Sequence, residues 1–307
     1  MKFSSTRFLR IIIMVGVLMT LVSGIAFAGG GGDDKAAKTK HGILLVAFGS
    51  SMPEGQMAID AMEQAVKSAY PNVDVRVSFT SRIIMRKLER EEKRIVDEPA
   101  IALAKMAYEG YTHVAVMSTH IIPGAEYKDL QAVVAGFKTM ASQGTKAGFR
   151  HIELSRPLLW VPEDFTSLAD VLVKSYAKEA AEGAVVFVGH GTHMFADAAY
   201  GALRDALQRK SSNFFVGTVE GSPSYDDVLK ALKKTRFRKV AVAPAMLVAG
   251  DHAHNDMGGD EDDSWKVMLT KEGYKVTPKL VGLGQNPAVQ RLLLNKLREA
   301  WGENAPK

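Results

Sequence analysis

The stretch AVVFVGHGT, residues 184 to 192, places five apolar residues ahead of the turn Gly189-His190-Gly191-Thr192. A short β-branched run that stops on glycine reads as a buried strand. Downstream, a helical pattern from about Ala196 to Arg209 leads to FFVGTV (214 to 219). A helix from Tyr225 to Thr235 leads to VAVAPAM (240 to 246), one near Trp265 leads to KVTPKLV (275 to 281), and a last helix runs from Ala288 to Trp301. Upstream the same alternation holds. GILLVAF (42 to 48) is followed by a helical pattern from Gly55 to Ala69 that stops before Pro71, then VDVRVSF (73 to 79). Helical patterns through Arg94 and from Pro99 to Glu109 then lead to VAVM (114 to 117). Strands alternating with helices predict an α/β fold, with parallel sheets covered on both faces by helices and right-handed crossovers.

The halves echo each other. Val114-Ala115-Val116 is followed by Gly124 at the spacing that separates Val240-Ala241-Val242 from Gly250, and LLVAFGSS (44 to 51) resembles VVFVGHGT (185 to 192). Internal similarity of this kind predicts two related α/β lobes. The boundaries expected are 41 to 158 and 159 to 307, with RPLLWVPE (156 to 163) as the crossover.

Composition removes other classes. The chain has 307 residues, 47% apolar and 24% charged, and no cysteine. Those values exclude a disordered chain, a collagen-like fibre, a disulfide scaffold, and a zinc ribbon or iron–sulfur protein built on Cys. There is no P-loop, full dinucleotide fingerprint, H-E-x-x-H or G-x-S-x-G. At the amino end, Lys2, Arg7 and Arg10 precede an apolar run from Ile11 to Val22 and then Ala26-Phe27-Ala28. That order is the grammar of a secretory signal over residues 1 to 28, too short to span a bilayer comfortably, so no membrane span is expected after its removal. Residues 29 to 40 read as a flexible leader, since nothing larger than Ala offsets the entropy of ordering them. Three of the five excess positive charges leave with the signal, and a nucleic-acid partner is not expected. Export to the periplasm is.

In open α/β sheets ligands sit outside the carboxyl ends of the strands. His190 follows AVVFVG, Glu220 follows FFVGTV, and His252 follows VAVAPAMLVAGD. Two imidazoles and a carboxylate hold a borderline divalent ion and leave coordination positions open. Gly189 and Gly191 let the backbone turn tightly beside His190. His193 and His254 are nearby substitutes, with a solvent-facing or supporting role expected. The acidic run Asp251, Asp256, Asp260, Glu261, Asp262 and Asp263 reads as a solvated loop. His41, His113 and His151 read as structural.

The blocks ILLVAFGSS (43 to 51), FTSRIIMRKL (79 to 88), STHIIPGAEYKDL (118 to 130), VFVGHGTH (186 to 193), VEGSPSYDDV (219 to 228) and AGDHAHNDM (249 to 257), in that order, resemble the class II chelatases of tetrapyrrole biosynthesis. Within that class the resemblance is to the CbiK-type anaerobic sirohydrochlorin cobaltochelatases, and it covers nearly all of the chain beyond the leader. It implies a two-lobed fold with the active cleft between the lobes, a tetrapyrrole and a divalent metal as the small-molecule partners, and insertion of Co2+, or Fe2+, with release of two protons. It also implies His190, Glu220 and His252 as metal-binding and catalytic residues: His190 binds metal and abstracts a proton, His252 binds from the opposite side, and Glu220 balances charge and relays protons.

Ser50, Ser51, Thr80 and Ser81, at strand ends of the first lobe, either hold substrate carboxylates or serve ordinary turns. His120 either lines the tetrapyrrole pocket, acts as an axial ligand to a metallated ring such as haem, or is a hydrogen-bonded core histidine. Trp160, Phe165 and Met268 either fill the cores or mark a contact in a homo-oligomer. The export signal departs from the family pattern, because corrin precursors are made inside cells. An exported tetrapyrrole, haem or metal carrier on a chelatase scaffold is therefore the second expectation, and a plain periplasmic solute receptor the third.

Overall fold

Seven residues, His41–Ala47, form β1, whose apolar run is buried on both faces. The computed structural model describes residues 39 to 143 and 148 to 306. The expected signal segment and the leader up to residue 38 lie outside them. From residue 39 onward the chain forms one compact unit.

β1 is followed by α1 (Pro53–Ala69), β2 (Asp74–Phe79), α2 (Arg82–Glu92), α3 (Pro99–Tyr108), β3 (His113–Ser118), α4 (Ala125–Ser142) and β4 (His151–Leu154). The chain continues through α5 (Pro162–Ser175), α6 (Ala177–Glu182), β5 (Ala184–Gly189), α7 (Ala198–Gln208), β6 (Phe214–Thr218) and α8 (Tyr225–Lys233). It ends with β7 (Lys239–Pro244), α9 (Trp265–Lys271), β8 (Lys275–Pro278) and α10 (Pro287–Trp301). Local chemistry fixes several starts. Proline opens α1, α3, α5 and α10, where its missing N–H costs nothing. Ser224 and Asp227 cap α8 reciprocally.

The strands make two four-stranded sheets, in the orders β2-β1-β3-β4 and β6-β5-β7-β8. Every pairing is parallel. Alternate side chains serve different cores, as a two-residue period requires. Ile43, Leu45, Val185 and Phe187 share one apolar core that joins both sheets and includes Leu293, Leu297 and Trp301 of α10. Leu44 and Val46 point into a core on the outer side of the first sheet, and Val186 and Val188 into one on the outer side of the second. α10, last in the sequence, packs on β3 and β4 of the first sheet and against α1 and α5. The Lys296 ammonium of α10 donates to the Asp164 carboxylate, which also accepts the N–H groups of Trp160 and Val161 at the start of α5.

The repeat is visible in the backbone hydrogen bonds. Thr119 N–H donates to Val46 C=O at 3.0 Å, and Ala245 N–H to Val188 C=O at 2.7 Å. Ser81 N–H donates to Phe48 C=O at 3.1 Å, and Glu220 N–H to His190 C=O at 2.8 Å. Equivalent positions are therefore Gly49 and Gly191, one residue out of step with the correspondence read from LLVAFGSS and VVFVGHGT. Both glycines have positive φ, 103° and 89°. Phe48 and Ser81 of the first sheet occupy the places of His190 and Glu220 in the second.

Among the described residues no helix is long and apolar enough to cross a membrane.

Candidate metal centre

The second sheet reverses its strand order between β5 and β7, so a crevice opens at the carboxyl ends of these two strands. His190 leaves the end of β5. His252 comes from the connection that follows β7, at the start of a short helical turn running to Met257. The two rings meet there: Nε2 of His190 is 3.1 Å from Nε2 of His252, and the ring centroids are 4.4 Å apart at 86°.

The close approach depends on the backbone. A Cβ at Gly189 would stand 2.1 Å from the buried Tyr200 ring, and one at Gly191 2.6 Å from the Gly221 nitrogen. Only glycine lets β5 pass Tyr200 and then turn away at φ 89° immediately after His190.

Hydrogen bonds at the far side of each ring fix which nitrogen carries the proton. His190 Nδ1 lies 3.0 Å from Gly191 C=O, which only accepts. His252 Nδ1 lies 2.7 Å from an Asp256 carboxylate oxygen, which accepts. Both Nδ1 atoms are thus donors, so in the neutral form of the rings the two Nε2 lone pairs oppose each other. That arrangement is repulsive unless a proton or a cation sits between the nitrogens. A first-row divalent ion at about 2.1 Å from each would see the pair, 3.1 Å apart, at roughly a right angle. The pair is not sealed off: the His252 side chain is 40% exposed and His190 is partly exposed.

The other residues fall as follows. Glu220 is exposed and adjacent to His190, joined to it through the backbone. Among the described residues no three His, Asp or Glu side chains converge as a ready metal cage, so two imidazoles, and not the expected three groups, stand together here. His193 is exposed. His254 Nε2 is shielded from solvent and lies 3.9 Å from the Glu54 carboxylate. Asp256, read in the sequence as part of a solvated acidic run, instead holds His252. The signal that finds it is the four-residue spacing, which stacks the two side chains on one helical face.

First-lobe residues reach the same end of the molecule. Lys128 of α4 places its ammonium 5.2 Å from the Phe195 ring, just after the His190 turn. Ser50 is buried, and its hydroxyl accepts Met52 N–H at 3.1 Å. Ser81 caps α2 by accepting Ile84 N–H. Ser51 is partly exposed, and the Thr80 hydroxyl is shielded with no hydrogen-bond partner. His120 accepts or donates at 2.9 Å with Ser118 Oγ through Nδ1, while its Nε2 is shielded and unpaired. Burial pushes its pKa down to about 4, which keeps the ring neutral at pH 7. Trp160 is 43% exposed beside Tyr127. A separate cavity of about 240 Å³, lined by Lys178, Glu179, Glu182, Lys239, Lys275 and Lys279 among others, opens near the amino ends of β5, β7 and β8 and contains no histidine.

Comparisons with known proteins bear on this site. The family model described as cobalt chelatase (CbiK) matches residues 41 to 302. The chain is 37% identical over 263 residues to the sirohydrochlorin cobaltochelatase CbiKC of Nitratidesulfovibrio vulgaris, covering 85% of this chain and 91% of that protein. It is 35% identical over 262 residues to the sirohydrochlorin cobaltochelatase of Salmonella typhimurium, covering 85% and 96%. Among solved structures, SirB from Bacillus subtilis with Fe3+ aligns with a TM-score of 0.60 at 17% identity, over 87% of this chain and 97% of that one. CbiX, described as the terminal enzyme of sirohaem biosynthesis in denitrifying bacteria, aligns with a TM-score of 0.51 at 15% identity, over 85% and 100%. These two structural likenesses establish a shared fold.

Proposed function

The chain belongs to the CbiK family of cobalt chelatases, and from that premise we propose that it inserts Co2+, with Fe2+ as the alternative ion, into sirohydrochlorin. The observation that carries this reading is the meeting of His190 and His252 Nε2 at 3.1 Å in an exposed crevice.

Insertion needs a metal that is held loosely and stripped of water on one side, and it needs acceptors for the two pyrrole protons that the ring gives up. Two imidazole lone pairs supply the first requirement. As the ion passes to the macrocycle, each freed Nε2 becomes a base positioned at the point of departure. His190 takes the first proton, and the Asp256 carboxylate stabilises positive charge on His252 when it takes the second. Glu220, in the turn that follows β6 and joined to His190 through the backbone, offsets the charge of the ion and passes protons to solvent.

The test mixes purified protein with sirohydrochlorin and Co2+ and follows the absorbance of the metallated product. Many turnovers per chain, lost in His190→Ala, support the chelatase. Uptake of one tetrapyrrole per chain with no turnover supports the second reading, an exported tetrapyrrole or haem carrier. That reading draws on the neutral His120 ring, whose unpaired Nε2 suits contact with a macrocycle or its metal. Placement in the periplasm is part of the proposal. It is tested by fractionating cells and sequencing the mature amino terminus, with cleavage after Ala28 expected and an intact cytoplasmic chain contradicting it.

A further inference from the structure

His190 and Glu220 lie just past the ends of two neighbouring strands, β5 and β6, and beyond them the chain runs into separate connections. What holds those connections together is a single carboxylate. Asp197, in the turn before α7, accepts Thr192 N–H at 3.0 Å through Oδ1 and Ser222 N–H through Oδ2. Thr192 lies two residues after His190, and Ser222 two residues after Glu220. The packing around the carboxylate leaves no slack: a Cβ at Gly221 would stand 2.3 Å from Asp197 Oδ1, and one at Gly191 2.6 Å from Gly221 N. Gly191, Gly221 and Asp197 therefore interlock. The sheet hydrogen bond from Glu220 N–H to His190 C=O at 2.8 Å closes the other side of the ring.

We propose that Asp197 is a positioning residue for metal delivery: by clamping the two connections, it fixes the backbone turns that carry His190 and Glu220 relative to each other. This rests on the reading of His190 as a metal ligand. Partners that orient metal ligands typically contribute about 10- to 100-fold in affinity when removed. A carboxylate can accept from both N–H groups, whereas an amide of the same shape accepts from one and turns its own N–H2 toward the other, leaving a donor facing a donor.

The experiment compares wild type, Asp197→Asn, Gly221→Ala and His190→Ala by Co2+ titration against a competing chelator, by thermal midpoint, and by KM for Co2+ and for sirohydrochlorin separately. Asp197→Asn is expected to lower Co2+ affinity and raise the Co2+ KM about 10- to 100-fold, with the sirohydrochlorin KM unchanged. A merely structural role would lower the thermal midpoint and leave the Co2+ affinity of the folded protein as it was, which overturns the proposal. Gly221→Ala keeps the carboxylate but displaces it, and the same selective loss of Co2+ affinity is expected; it decides the matter if Asp197→Asn does not fold. His190→Ala separates the two readings. If it binds Co2+ as wild type does, the ligand reading fails and this proposal with it. If it loses Co2+ while both clamp variants keep it, only this proposal fails.

Discussion

His252 Nδ1–H donates to the Asp256 carboxylate at 2.7 Å, four residues along the same helical turn, and this leaves Nε2 as the lone pair that faces His190. Asp256→Ala removes the partner that fixes the ring, and the tautomer is then free to exchange. Co2+ affinity is expected to fall about 10- to 100-fold. Asp256→Asn, which can still accept the Nδ1 proton, is expected to lose less. Both are read by Co2+ titration, and equal loss in the two variants would show that charge, and not orientation, is what Asp256 contributes.

Gly191 turns at φ 89° with no room for a Cβ. Gly191→Ala is expected to cost at least about 1–2 kcal/mol from the left-handed backbone alone. It should also displace His190, so the loss of chelation should exceed what the fraction unfolded explains. Chemical denaturation and activity measured on the same sample check both parts.

Stability should depend on pH through histidines outside the metal centre. Burial holds His120 at about 4, and burial together with neighbouring cations and imidazoles lowers His113 and His151. The unfolded chain protonates near 6.5 while these folded groups stay neutral, so the folded state binds fewer protons. Their contribution is complete above about pH 6.5 and is lost as pH falls from there toward the folded values, about 4 for His120. His120 alone accounts for up to about 3 kcal/mol over that window. Denaturation midpoints should be level from pH 7.5 to about 6.5 and fall from there to pH 4.5, and His120→Asn should flatten that fall. A pH-independent midpoint would contradict this.

The Lys296 and Asp164 side chains are 7% and 11% exposed, and they join the last helix to the start of α5. Lys296→Met leaves the Asp164 charge buried with only two backbone N–H donors, and should cost about 3–5 kcal/mol. Replacing both partners with apolar residues of similar size should cost less than the single change. A thermal denaturation cycle of the two single variants and the double variant measures this.

Both sheets and the histidine pair were legible because they rest on strong local signals: apolar runs ended by glycine, with imidazoles just beyond them. The expected helices at 55 to 69 and 196 to 209 correspond to α1 and to the turn leading into α7. Other features carry weaker signals. β4 is only His151–Leu154, a half-exposed edge strand with two polar side chains out of four, which an alternation pattern cannot distinguish from a loop. α5 begins within a stretch that reads as a crossover, and the meeting of its Asp164 with Lys296, 132 residues away, has no local signal. The return of α10 to the first sheet is set by Leu293, Leu297 and Trp301 joining a core between the sheets, which no local pattern encodes. The one-residue shift between the lobes puts Phe48, whose side chain cannot bind metal, in the structural place of His190.

The account stands on one ion held between His190 and His252. The most direct measurement is X-ray absorption on the Co2+-loaded protein, with single His190→Ala and His252→Ala variants alongside. One Co2+ per chain is predicted, with two imidazole nitrogens at about 2.1 Å in the wild type and the site lost in either variant. A cobalt signal that persists unchanged in either single variant would contradict it.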